Sequence, residues 1–219
     1  MKIDLHVHSQ YSKDALSKPE SIIREIKNKG LSGIAITDHN TVDAWSKLIP
    51  LAKKAGALVV KGEELKVQEQ GQTIGELSAL FLQEEITVID FTEIVDEAKA
   101  QDALLIIQHP FDLFRHYWKR PEYWEKLSGI EAFNSRCILN SWNKKAMAFA
   151  REHNFPVTAG SDAHTPQEIG RAFVECDAQN EEELRKAIIK KEVHIAGKLS
   201  SPLIHAYSTI AKLNLMRPF

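Results

Sequence analysis

Short apolar stretches alternate with runs of helical periodicity along most of the chain, and this alternation constrains the fold more than any other feature. IDLHVH (3–8) opens the series as an extended strand. Ser17 and Glu20 then have the spacing of a capping box, and Ile22, Ile23 and Ile26 recur at helical intervals until Gly30 stops the pattern. LSGIAITD (31–38) reads as a buried strand, 41–55 as a helix ending at Gly56, and ALVVKG (57–62) as a further strand. ELSALFL (76–82), a helix over 91–100 with Asp90 and Glu93 as its cap, and ALLIIQ (103–108) continue the alternation. GIEAF (129–133), a helix over 139–153 and PVTAG (156–160) follow. RAFVE (171–175), a helix opened by Asn180 and Glu183, and VHIAG (193–197) close it. About seven strands separated by helices predict an α/β chain folded as a closed parallel barrel of the TIM type, short of eight regular units. An open doubly wound sheet is the alternative, but no glycine-rich phosphate loop follows the first strand.

At 219 residues the chain is long enough for one such domain, spanning 1–219, with 200–219 as a segment that closes the barrel or meets a second copy. A net charge of −2, from 28 basic and 30 acidic residues, supplies no global field for nucleic acid or an anionic membrane. Any anionic substrate is then held locally. Cys137 and Cys176 are the only cysteines, too few for a disulfide framework or a cysteine zinc site. No apolar run exceeds five residues, and no basic region leads into an apolar one at the N-terminus. The expectation is a cytoplasmic protein without a membrane span.

The first strand also raises a chemical question. Successive strand side chains point to opposite faces, so Ile3, Leu5 and Val7 share one face while Asp4, His6 and His8 share the other. Further polar groups follow the later strands: Asp14, Asp38-His39, Glu63-Glu64, His109-Pro110, Asn134-Ser135-Arg136 and Asp162-Ala163-His164. A parallel barrel gathers these positions at one rim, where barrel enzymes build their sites. Several carboxylates brought together there cannot all stay ionised without a counter-charge, which divalent metal ions supply. No single histidine carries this reading; the recurrence at successive strand ends does.

DLHVHS, ITDHN, GEE, QHP and GSDAH, in that order, resemble the motifs of the PHP (polymerase and histidinol phosphatase) superfamily, over about residues 2–205. The resemblance implies a distorted (β/α)7 TIM-like barrel that holds two or three divalent ions and hydrolyses phosphoesters. It implies His6 and His8 as ligands of one ion with Asp162 beside them, Glu64 as a bridging carboxylate, and His109 on a second ion. Asp14, His39 and His164 match the ligands of a third, and Glu63 faces away. One departure stands out: where many members carry a further histidine, this chain reads GELSALFL, with Ser78 near the expected position. Glu76 shares a strand face with Ser78 and is the candidate replacement.

A histidine-rich site with some carboxylate suits Zn, Mn or Fe better than Mg or Ca. Two ions about 3.5–4 Å apart would share a hydroxide that attacks phosphorus in line. Arg136 is the expected phosphate-binding cation, because its planar fork meets a phosphate bidentately. Arg171 and Lys61 are weaker candidates. Asp38, beside His39, is expected to orient a histidine or relay a proton. The leading function is hydrolysis of a small phosphomonoester, a metabolite or nucleotide. A nuclease is the second reading, resting on the aromatic and basic stretch FDLFRHYWKRPEYWEKL (111–127), which would stack bases or wall the site. A non-catalytic metal-binding scaffold is the third.

Overall fold

The structure, a computed structural model, describes residues 1–115, 117–201 and 203–204. Its strands are β1 (Lys2–Val7), β2 (Gly33–Ile36), β3 (Leu58–Glu69), β4 (Gln72–Leu80), β5 (Leu104–Ile107), β6 (Gly129–Asn134), β7 (Val157–Gly160), β8 (Ala172–Glu175) and β9 (His194–Gly197). The helices are α1 (Pro19–Asn28), α2 (Trp45–Ala55), α3 (Phe91–Ala100), α4 (Asn140–Glu152) and α5 (Glu181–Ile189). The strands form one sheet in the order β7-β6-β5-β4-β3-β2-β1-β8-β9. This sheet curls into a nearly closed barrel. At its seam the His8 amide donates to the Ala163 carbonyl (2.9 Å) and the Asp162 amide to the His6 carbonyl (2.8 Å).

The barrel departs from the expected all-parallel arrangement at β4 and again at β8, which pairs antiparallel with both β1 and β9. Instead of ending at Gly62, β3 runs on to Glu69, turns through Gln70 and Gly71, both at positive φ, and returns as β4. The register pairs Gly62 with Leu80 and Glu64 with Ser78, antiparallel, and β4 pairs antiparallel with β5 as well. Beyond the rim this hairpin has no continuous apolar run to announce it. Two helix starts also differ from expectation. α1 begins at Pro19, whose fixed φ suits the first helical position, and its N-cap is Lys18 without a side-chain cap, so Ser17 and Glu20 form no capping box. α2 begins at Trp45 rather than at Thr41. The expected caps at Asp90 and Asn180 hold: Asp90 accepts from the Thr92 amide and Asn180 from the Glu183 amide, each at 2.9 Å.

Apolar faces of the helices cover the sheet. Ile22, Ile26 and Leu48 of α1 and α2 pack on Ile34 and Ile36, while Phe91 and Ile94 of α3 pack on Leu77 and Ile107. The aromatic stretch after β5 joins this core. Trp118 and Trp124 are buried in it, Tyr123 stacks on Phe91 at 4.2 Å, and Arg120 and the Tyr123 hydroxyl both bind Glu69 of the hairpin. Gly75 leaves room for this packing, since a Cβ there would lie 2.4 Å from the Trp118 ring. The stretch is therefore largely a brace on the β3–β4 hairpin, and of its aromatic rings it is Phe114 that reaches the cavity. Most of the 200–219 segment lies outside the described residues. Among the described residues, no helix is long and apolar enough to cross a membrane.

Candidate metal centre

Strand pleat and barrel closure bring the donors together. His6 and His8 project from one face of the β1 strand end, with Nε2 atoms 3.0 Å apart. Glu64 Oε2 lies 3.4 Å from His6 Nε2, 3.3 Å from His8 Nε2 and 3.1 Å from His39 Nδ1. Its other oxygen, Oε1, is buried without a hydrogen-bond partner and lies 3.4 Å from His109 Nε2. His109 Nε2 is also 3.4 Å from Glu76 Oε2. Asp162 Oδ1 lies 3.4 Å from His8 Nε2, and Asp14 Oδ1 lies 3.5 Å from His164 Nε2 and 3.7 Å from His39 Nε2. Three nested groups result: His6, His8 and Glu64; Glu64, Glu76 and His109; and His8, His39 and His164. The backbone at His109 (φ 28°) and Asp162 (φ 55°) is left-handed, a strain that accompanies functional sites.

The outer partners decide which nitrogens carry lone pairs. His6 Nδ1 lies 3.0 Å from Glu131 Oε1, a carboxylate that only accepts, so the proton sits on Nδ1 and Nε2 is a bare donor. Ser12 Oγ donates to Asp38 and stands 3.4 Å from His8 Nδ1, which assigns the same tautomer to His8. The facing Nε2 atoms of His6 and His8, closed in by Glu64 and Asp162, form a negatively charged surround that a cation between them would balance. The donor set thus fits divalent metal binding. Without an ion, burial alone would depress both histidines, but Asp162, Glu64 and Glu131 outweigh it around His6 and hold it well above its ordinary value. His8 is raised to about 9 against the same burial by Asp162 and Glu64. Burial likewise would raise Glu64 and Asp162, yet the facing histidines hold both well below the carboxylate range, with Arg115 adding to the effect on Asp162. His164 is lowered to about 3 by burial and by Arg136.

All nine residues expected as ligands meet in this cluster, Glu76 included. Ser78, on the same face, is turned to the Gln108 amide: with its nitrogen toward Glu131 Oε2 (3.0 Å), the Gln108 oxygen faces Ser78 Oγ at 3.0 Å. Arg136 lines the cavity, with Nε 3.5 Å from Glu168 Oε1. Asp38 does not reach the cavity. Its carboxylate is taken up by the Ser9 amide (2.7 Å), the Ser9 hydroxyl (2.6 Å) and the Ser12 hydroxyl (2.6 Å), so it fastens the loop after β1 instead of facing a substrate. Arg171 is exposed and donates to the Leu199 carbonyl, and Lys61 lies over Trp45, so both stand off the cavity. Glu63 faces away, its Oε2 accepting from the Ile86 amide. One site residue was not singled out in the sequence, and another was placed only as part of the stretch that walls the site. Glu131 is a charge inside the apolar run GIEAF, which is itself a signal that a partner exists. Arg115, expected only as one of the cations interleaved in the stretch that walls the site, pairs with Asp162, Asp112 (2.8 Å) and Asn134 (3.2 Å).

A mixed α/β barrel with clustered histidines and carboxylates at its rim defines a metal-binding barrel protein. The PHP domain family model matches residues 4–152 and the PHP-associated model residues 140–193; the chain belongs to the PHP family. It is 32% identical over 220 residues to an uncharacterised protein of Methanocaldococcus jannaschii, covering 97% of this chain and 86% of the relative. In fold it resembles a two-domain protein from Bacteroides vulgatus containing a predicted PHP-like metal-dependent phosphoesterase, with a TM-score of 0.74 at 23% identity. That match covers 90% of this chain, which spans 65% of the two-domain protein. A shorter likeness, 32% identical over 91 residues, is to the PolC-type DNA polymerase III of Bacillus subtilis, covering 41% of this chain and 6% of the polymerase.

Proposed function

We propose that the protein is a metal-dependent phosphoesterase that hydrolyses a small phosphomonoester. The observation that carries this is the run of donor groups sharing Glu64, set in a cavity of about 780 Å³ that Arg115 and Arg136 also line. In this reading His6, His8, Asp162 and Glu64 hold one ion, and Glu64, Glu76 and His109 a second. Asp14, His39 and His164 would hold a third. The histidine-rich donor set favours Zn, Mn or Fe. Bound there, such ions supply Lewis-acid polarisation of phosphoryl oxygens and an activated water. Arg136, fixed against Glu168, presents its guanidinium to a phosphate, and Asp38 acts through Ser12 to keep His8 Nε2 facing inward. Glu76 replaces the missing histidine on the second ion. The stretch 111–127 spends Lys119 and Arg120 on the hairpin, which leaves little basic surface for a polynucleotide.

The test is turnover by Mn-loaded protein on phosphomonoesters and on a single-stranded oligonucleotide, with elemental analysis of the same preparation. At least two ions per chain are expected, with kcat/KM at least about tenfold higher on the best monoester. Faster cleavage of the oligonucleotide, with a steep loss as salt rises, would establish the nuclease reading instead. Full metal occupancy with no turnover on either would leave a scaffold.

A further inference from the structure

The lip of the cavity is chemically lopsided. Lys13, Asn40, Thr41 and Asp43, from the loops after β1 and β2, make one part of it polar. On the side of the segment after β5, Phe114 lines the cavity and is open to water, and exposed apolar residues flank Phe114 and precede Trp142 in the chain. Phe114 is 72% exposed, Leu113 65%, Leu139 48% and Ile138 41%. An exposed aromatic ring lining a cavity that also holds fixed polar groups is a ready contact for a ligand.

Phe114 rests on Trp142. The Phe114 ring meets the largely buried Trp142 ring edge-on, with centroids 5.4 Å apart at 76°, and the Trp142 amide donates to the Leu139 carbonyl at 3.1 Å. Phe114 is thus seated on a fixed support at the cavity mouth. The next residue turns inward: Arg115 reaches Asp162 and Asn134 inside the cavity. Two consecutive residues therefore present an aromatic ring at the mouth and a guanidinium beside the metal-binding cluster. A ligand complementary to both is anionic at one end and flat and apolar at the other.

We propose that the leaving group of the substrate is a flat aromatic ring that stacks on Phe114, while its phosphate lies deeper, beside Arg115 and Arg136. This rests on the phosphoester reading above and deepens it. The reaction is simple hydrolysis: the oxygen of water bonds to phosphorus, the ester P–O bond breaks, and the departing ring-bearing alcohol takes up a proton. Phe114 acts as a specificity residue for the alcohol half and takes no part in the bond changes.

Benzyl phosphate and ethyl phosphate test this, because their leaving alcohols are of similar acidity and differ chiefly in the ring. Metal-loaded wild-type protein is expected to prefer benzyl phosphate in kcat/KM by about tenfold, the scale of one stacked ring, with the difference lying in KM. In Phe114→Ala the ratio is expected to fall to about one. An equal kcat/KM in the wild type, or a preference kept by Phe114→Ala, would overturn the proposal. So would a Phe114→Ala variant whose only change is in self-association by sedimentation, since the patch would then be a contact between copies. If neither ester is hydrolysed, the phosphoester reading fails, and calorimetry with benzylphosphonate and ethylphosphonate still decides the ring subsite. Tighter binding of benzylphosphonate that Phe114→Ala removes supports it; equal affinities refute it.

Discussion

At His6 the two ring nitrogens have separate duties, and Glu131 sets them. Its Oε1 takes the Nδ1 proton, while Oε2 accepts from the His109 amide (3.0 Å) and from Asn134 Nδ2 (2.9 Å), so one buried carboxylate steadies two of the metal subsites. Glu131→Gln keeps the shape but loses acceptors, and it is expected to weaken metal binding by about 10–100-fold in calorimetry. Glu64→Gln is expected to lose more metal by elemental analysis than any single histidine variant, because its two oxygens face different groups. Cys137 offers a check on burial near the centre. Burial pushes its thiol up to about 12 despite Arg115 nearby, which leaves almost no thiolate at pH 8. Iodoacetamide followed by mass spectrometry should therefore modify Cys137 in unfolded protein and leave it largely intact in the native state. The candidate ligand residues were legible because they recur after apolar runs. Arg115 was legible only as a cation of the stretch that walls the site, since its pairing involves a partner 47 residues away.

The elements show where periodicity suffices and where it fails. Helices α3 and α5 lie where their apolar spacing and caps put them, and α4 where its apolar spacing does, because helix formation follows local pattern. The β3–β4 hairpin is different: its outer half pairs Val67 with Gly75 and Glu69 with Gln72 above the rim, covered by the aromatic stretch. From the sequence, those aromatics and their interleaved cations look like a lid or a base-stacking platform. In the structure Trp118 and Trp124 are core and hold the hairpin down. Trp118→Ala is accordingly expected to cost about 3–5 kcal/mol in denaturant unfolding, the range for emptying a buried aromatic site. A change well below about 1 kcal/mol would mean that the stretch is a loose cover after all.

Closure of the barrel joins candidate ligands far apart in the chain. At the seam β7 comes so near β1 that a Cβ on Gly160 would lie 2.2 Å from His6 Cβ and 2.8 Å from the His6 amide nitrogen. Gly160→Ala must push the strands apart or shift His6. It is expected to destabilise the fold by at least about 1–3 kcal/mol and to lower metal content in parallel, read by thermal unfolding and elemental analysis. Intact metal content in a destabilised variant would show that His6 is held independently of the seam. The alternation of strand and helix and the set of candidate ligands were determined by the sequence alone, because both follow from local periodicity and from what succeeds each apolar run. The reversal of β4, the convergence of Glu76 on Glu64 and His109, the fastening of Asp38 to the loop after β1, and the entry of Glu131 and Arg115 into the site were decided only by the tertiary structure. Those depend on which strands pair and where the barrel closes, and that free energy is shared among residues too distant in the chain for any local pattern to record.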